Sequence, residues 1–343
     1  MRSAAMMMLL KKLASLRLTL VGMILLAVLA VVGSRSADIG TDITVVPLGI
    51  LVANLLAALL TNRSFRTQTG LLVFHVGLLL VFACIGLTVL LRYDGHVEVL
   101  QGGAFDAGQV ETVEQGWWHD NRLDKIELYQ GDVLVNYLPG LNRQDTASTF
   151  EYRAASGELR RITVGDTRAA SVNGYRLAAT FNKGFAVLLQ WTGTDGKEML
   201  GALHMPSFPE FDWKQVSTWT TPAGQQVELE LVFDQSVSDD RAHWTFGRTD
   251  MPYSVNIAIA GEPQRSIRNG DSAELAGGVV RVEGLRVWMA YQIEFLPFLP
   301  WMFVAAVLAI IGLALHFATR VLPVSTPAGS SVEEDDYGHV ARA

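Results

Sequence analysis

The sequence predicts an integral membrane protein with four transmembrane α-helices and a large extracytoplasmic all-β domain between the third and the fourth. Three observations lead there: four long apolar runs, a middle segment in which polar and apolar residues alternate, and an asymmetry of Lys and Arg about the runs. The 343 residues are 50% hydrophobic and 18% charged, with a mean hydropathy of +0.27. An average soluble domain carries about 25% charged residues, so a wholly soluble enzyme does not fit.

A hydrocarbon core of about 30 Å needs about 20 largely apolar helical residues, or somewhat fewer when the flanks snorkel. Leu16–Gly33, Val45–Leu60, Gly70–Leu91 and Leu299–Ala318 meet that length. The first run also suits a signal peptide. No small-x-small cleavage site with a polar start follows Gly33, however, and the next apolar run begins at Val45, so it reads as a retained helix.

Basic side chains in short loops stay on the cytoplasmic side. Lys11, Lys12 and Arg17 precede the first helix, Arg63 and Arg66 separate the second from the third, and Arg320 follows the fourth. The opposite ends carry Arg35 and Arg92 beside Asp38, Asp42 and Asp94. Both termini are therefore expected in the cytoplasm and Tyr93–Glu294 outside the cytoplasmic (inner) membrane, in the periplasm of a Gram-negative cell. That segment holds 17 Lys and Arg against 28 Asp and Glu, a formal charge of −11, which argues against nucleic acid or an anionic lipid surface as partner.

The outer segment reads as β. HVEVL at His96–Leu100, KIELY at Lys125–Tyr129, VELELVF at Val227–Phe233 and SVNIAIA at Ser254–Ala260 alternate with period two, and Ser156-Gly157, Asp195-Gly196 and Asn269-Gly270 mark turns. One or two antiparallel sheets in a sandwich or open barrel are expected. The domain plan is then 1–92 for the first three helices, 93–294 for the β domain, 295–320 for the fourth helix and 321–343 for a tail whose Pro, Ser, Gly and acidic content reads as disordered.

Chemistry is sparse. Cys84 is the single cysteine, which excludes an intramolecular disulfide, a Cys-rich zinc site, a CxxC pair and a CxxCH haem attachment site. It follows His75 by nine residues, about 900° around a helix and so on the opposite face, without a cationic or helix-N-terminal setting to activate a thiol. GxSxG, GxxxxGK[ST] and a GxGxxG after a strand are all missing from the sequence.

Two of the seven histidines fall in predicted membrane helices. His75 lies four residues past Leu71, about 6 Å into the third helix from its cytoplasmic start. His316 lies four residues before Arg320, so the two imidazoles are expected at similar depth. A membrane imidazole is a functional candidate, and a neutral one is a ligand for haem iron. The plainer role of satisfying a helix C-terminus suits His316, while His75 sits near a helix N-terminus, where that role is weaker. A haem or quinone contact is the functional reading of His75.

His96, His119, His204 and His243 form no HxH, HxxH or HExxH spacing and read as surface or strand residues. In GWWHD, Gly116–Asp120, two indoles beside a histidine could stack on a porphyrin, but an interfacial anchor is the preferred reading. Trp288, Tyr291 and Trp301, with Pro297 and Pro300, read as the aromatic collar of the fourth helix.

Four stretches carry a family resemblance: LASLRLTLVGMILLAVLAVVGS at Leu13–Ser34, FHVGLLLVFACIGLTV at Phe74–Val89, YDGHVEVLQGG at Tyr93–Gly103 and GLRVWMAYQIEFLPFLPWMFVAAVLAIIGLALHF at Gly284–Phe317. With them the chain resembles a short, divergent member of the ResB-like cytochrome c biogenesis proteins of System II, also called CcsB. The match covers roughly the first hundred and last sixty residues; the outer segment is short for the family, and Phe295–Pro300 replaces its DPG-like turn.

The resemblance implies a non-catalytic subunit of a complex that transports haem and attaches it to apocytochrome c (a haem lyase or synthetase). It implies haem b shared with a ResC/CcsA-type membrane partner, which carries the WGxxWxWD motif missing here, and a thiol-reducing thioredoxin-like protein as a further partner. It assigns His75 as the haem-contacting histidine near the cytoplasmic face and a candidate iron ligand. Two alternatives stand beside it. One is a b-haem subunit of a quinone-linked electron transfer complex, with His75 and His316 as paired ligands. The other is an anchor whose β domain holds an extracytoplasmic cytochrome.

Overall fold

In the computed structural model residues 2–36, 41–153 and 157–321 are described, and the tail beyond 321 lies outside them. These residues fall into two compact units, one of helices, up to Leu87 and from Phe298, and one spanning Thr88–Pro297.

The helices are α1 (Arg2–Leu13), α2 (Leu16–Arg35), α3 (Val45–Thr61), α4 (Ser64–Thr67), α5 (Thr69–Leu91) and α6 (Leu299–Val321). Among the described residues four spans are long and apolar enough to cross a membrane: Leu16–Arg35, Thr41–Thr61, Thr69–Leu91 and Leu299–Thr319. The short α1 was not foreseen, because Lys11 and Lys12 read as a flank. Its break from α2 is held by Asn54 of α3, which is 5% exposed. The Asn54 amide donates to Leu13 O at 2.6 Å and Ser15 O at 3.1 Å and accepts from Thr19 Oγ1 at 2.7 Å. Carbonyls opened by a helix break need such a donor in an apolar setting.

Helices α5 and α6 approach through small residues. Gly70 and Gly77 are two turns apart on α5, and Ala305, Ala309, Gly312 and His316 share one face of α6. A Cβ on Gly77 would lie 2.5 Å from the Ala309 nitrogen, and Cβ atoms on Gly70 and Gly312 would run into the backbones of His316 and Phe74. Side chains there would separate the helices and forfeit the van der Waals contact that drives association in lipid.

The second unit is β throughout except for single turns. Its strands are β1 (Tyr93–Leu100), β2 (Glu111–Gln115), β3 (Leu128–Tyr137), β4 (Arg143–Arg153), β5 (Leu159–Val164), β6 (Ala170–Val172), β7 (Tyr175–Gly193), β8 (Glu198–Ser207), β9 (Val216–Thr220), β10 (Gln226–Phe233), β11 (Trp244–Phe246), β12 (Tyr253–Ala258), β13 (Arg265–Arg268), β14 (Ser272–Leu275) and β15 (Gly278–Phe295). They form three antiparallel sheets rather than one or two. One has seven strands along β2-β1-β15-β7-β6, with β14 on β15 and β8 on β7; the others are β13-β12-β10-β9 and β11-β3-β4-β5.

Inward residues such as Val133, Phe150, Phe185, Leu229, Phe246 and Tyr291 fuse the three sheets into one core. Within it Gln130 Nε2 donates to Ser148 Oγ at 2.7 Å and to Tyr291 Oη at 2.8 Å, tying β3 and β4 to β15. Polar groups removed from water require such pairing.

Two sequence expectations are corrected. KIELY is not a strand throughout, since Arg122–Lys125 is a 3₁₀ turn and the strand starts at Leu128. There Asn121 turns the chain at φ 48°, and Leu123 and Ile126 enter the core. Trp288 and Tyr291 do not collar the fourth helix either; they lie in β15, 3% and 0% exposed, and only Trp301 is an exposed residue of α6. The strand outlasts the sequence signal because both faces of this stretch of β15 are covered, which erases alternation.

Candidate functional site

His75 sits in the second turn of α5, half-buried. Its Nδ1 lies 2.8 Å from Leu71 O. A carbonyl only accepts, so Nδ1 carries the hydrogen, and in the neutral imidazole the lone pair is then on Nε2. The ring packs against Phe65 of α4 at 4.6 Å and Phe74 at 5.0 Å, which fixes its plane. This donor chemistry fits an axial ligand of a haem iron.

His316, also half-buried, stacks edge-on against Phe317 at 5.6 Å, and its carbonyl is capped by Thr319 Oγ1 at 3.0 Å. Its backbone is level with Gly70 of α5. His75 is five residues further along that helix, so the two imidazoles start from levels about 7.5 Å apart.

The GWWHD loop is held by its backbone. Gly116 N donates to Arg92 O at 2.9 Å and Trp118 N to Leu90 O at 2.8 Å, clamping the loop to the C-terminal end of α5 with Trp117 and Trp118 exposed. His119 turns inward instead. It shares a 2.7 Å hydrogen bond with the Tyr175 hydroxyl and stacks on Tyr93 at 4.9 Å. Burial holds its imidazole below the ordinary range, and burial, with Asp120 nearby, pushes the Tyr175 phenol up to about 12. No nitrogen of His119 is left for a porphyrin.

Sequence reasoning missed a second constellation. His96 and Glu98 on the outer face of β1 and His204 on β8 line one cleft of about 690 Å³ with Glu111, Thr180, Phe181 and Asn182. His204 Nδ1 meets Glu98 Oε2 at 2.6 Å, and its ring lies parallel to Trp288, 4° between planes at 5.5 Å. Trp288 lies flat because β7 has Gly184 beneath it, where a Cβ would sit 2.8 Å from the indole. Residues 96 and 204 are too far apart in the chain for any spacing motif to connect them.

The rim of this cleft is fixed from below by Lys183, 1% exposed, whose Nζ donates to Phe181 O at 3.2 Å and faces Glu210 Oε1 at 3.7 Å. Burial pulls the Lys183 amine down from 10.5 to about 8. Cys84 is buried within α5.

No protein-family model matches the chain, and no curated protein is similar to it. Among solved structures, 88% of the chain aligns with Cytochrome c Heme Lyase CcmF at 12% identity and a TM-score of 0.29. It spans 34% of that protein, and a likeness of this grade does not define a shared fold.

Proposed function

We propose that this chain is a ResB-like, non-catalytic subunit of a System II complex that carries haem across the cytoplasmic membrane and attaches it to apocytochrome c. In this reading both termini are cytoplasmic and the β domain is periplasmic. The chain works with a ResC/CcsA-type partner, and haem b is shared between the two. The resemblance of the helical segments supports the family reading, and the plan of four apolar spans with a β domain between the last two agrees with it.

The observation that carries the reading is His75. Its Nδ1 hydrogen is committed to Leu71 O, so the open Nε2 is the atom a haem iron would accept. His75 would hold the group, and haem would supply the iron and the vinyl carbons; Phe65 and Phe74 keep the imidazole in one orientation. The chain has no covalent chemistry of its own in this scheme.

The test is haem per protein in the complex co-purified with its ResC-type partner. His75→Ala is expected to lower haem content and cytochrome c maturation, and added imidazole to restore part of both. His316→Ala is expected to leave haem unchanged; an equal loss there would instead support the b-haem electron carrier with paired histidines. Unchanged haem and unchanged maturation in His75→Ala would overturn the proposal.

A further inference from the structure

We propose that the turn Gly116–His119 is a membrane-docking tip, in which Trp117 and Trp118 lie in the lipid headgroup layer beside the C-terminal end of α5. The two indoles occupy the middle of a turn closed by His119 N, which donates to Gly116 O at 3.0 Å, and they are 65% and 62% exposed. Large apolar side chains grouped at one tip mark a surface that something covers. An indole joins an apolar body to a single N–H donor, the combination that settles where acyl chains meet water.

Lipid is the occupant because of where the turn is tied. The bonds from Gly116 N to Arg92 O and from Trp118 N to Leu90 O continue the β1–β2 ladder, which pairs Tyr93 with Gln115, onto the last turn of α5, and the apolar span of that helix closes at Leu91. The turn therefore sits where one span ends. A second tie places it where the next begins: the His119 ring, at the base of the tip, packs on Tyr93 at 4.9 Å and on Phe295 at 5.5 Å, and Phe295 precedes by four residues the span that starts at Leu299.

The tip can enter that layer without giving up hydrogen bonds. The backbone N–H groups of Gly116, Trp118 and His119 all donate within the fold, as a loop must arrange where water is scarce. A Cβ on Gly116 would run into the carbonyls of Leu90 and Val89, so this close seat on the helix end requires glycine. Charge stops at the base of the turn: Arg92 pairs with Glu114 at 2.8 Å, Arg122 pairs with Asp120, and Gln115–His119 carries no Lys, Arg, Asp or Glu. The segment around it has a formal charge of −11, which gives no attraction to anionic headgroups. Docking is thus the work of the indoles and does not depend on lipid charge.

The proposal is independent of haem, and its test leaves His75 in place. The full chain is reconstituted in phosphatidylcholine nanodiscs whose acyl chains carry bromine near the glycerol end or near the methyl end, and the signal of the tip is the tryptophan emission lost in Trp117→Ser/Trp118→Ser. Both side chains are exposed, so the substitutions remove little packing; the two single variants, measured in the same way, serve if the double one does not fold. The emission lost in Trp213→Ser, an indole 74% exposed in the loop after β8, is the water-facing reference. The tip emission is expected to be quenched about twofold more by bromine near the glycerol end than near the methyl end, to resist iodide that quenches the reference, and to behave alike with and without added phosphatidylglycerol. Tip emission that iodide quenches as strongly as the reference, with no response to bromine, overturns the proposal. Emission shielded from both quenchers overturns it as well, because a protein surface would then cover the indoles.

Discussion

Lys183 gives the β domain a measurable pH signature. Its ammonium is enclosed by the rings of Tyr137 at 5.5 Å and Phe246 at 6.0 Å, with the half-exposed Glu210 3.7 Å away. Below pH 8 both folded and unfolded chains carry the proton at this lysine. Between about 8 and 10.5 the unfolded chain keeps it and the folded chain does not. Unfolding then takes up a proton, so stability rises with pH through this window. The full difference corresponds to about 3 kcal/mol, of which about 2 kcal/mol falls between pH 7 and 9.5.

Above that range the buried phenols act with the opposite sign, because Tyr175, Tyr137 and Tyr291 are all raised and ionise more readily when unfolded. Lys183→Met keeps the volume and removes the titration. It also loses the Phe181 bond, the Glu210 ion pair and two ring contacts, so the comparison reads the pH dependence of the midpoint and not its value at neutral pH. Urea unfolding of the full chain in mild detergent, read by tryptophan fluorescence from pH 7 to 9.5, should give a rising midpoint for the parent and a flat one for Lys183→Met. A rise of the same size in the variant would refute the assignment.

Reporter fusions at Gly157 and at the C-terminus should report opposite sides of the membrane, as the Lys and Arg distribution requires; the same side for both would break the topology. Gly77→Leu should lower the melting temperature of the detergent-solubilised protein by the equivalent of about 1–3 kcal/mol, because overpacked interfaces must move apart. Gly49→Leu, where a Cβ meets nothing within 4 Å, should leave it unchanged. Tyr291→Phe strips a partner from Gln130 and Ser148 and should cost about 1–3 kcal/mol in urea, visible as a lower midpoint at unchanged slope.

The transmembrane helices were legible to within a few residues, because length and hydropathy are local properties. Strands such as Val227–Phe233 were legible for the same reason: one face is wet, and the period of two survives in the sequence. Strand β15 was misread around Trp288 and Tyr291, because a stretch buried on both faces loses its alternation and imitates the flank of a helix. His75 could be singled out as a candidate from its place in an apolar run. The pairing of His204 could not be, since it is made with Glu98 on another strand and over the flat indole that Gly184 permits. Inward rotation of His119 was likewise invisible, because its partner Tyr175 lies 56 residues on.

The register that pairs Tyr93 with Phe295 has a consequence for biogenesis. Strand β15 is the last of the domain to be synthesised and yet lies between β1 and β7 in the largest sheet. If the chain is threaded outward from its N-terminal side, β3, β4 and β5 can close on one another early, being neighbours in the chain. The seven-stranded sheet must instead wait for a partner almost the whole domain away, and long-range pairing of this kind is slow. During that interval β1 and β7 present unpaired edges, the form in which chains aggregate or attract chaperones and proteases. A polypeptide stalled anywhere before Gly278 would hold its first strand open, so arrival of the closing strand sets the moment at which the inner edges of β1 and β7 are covered.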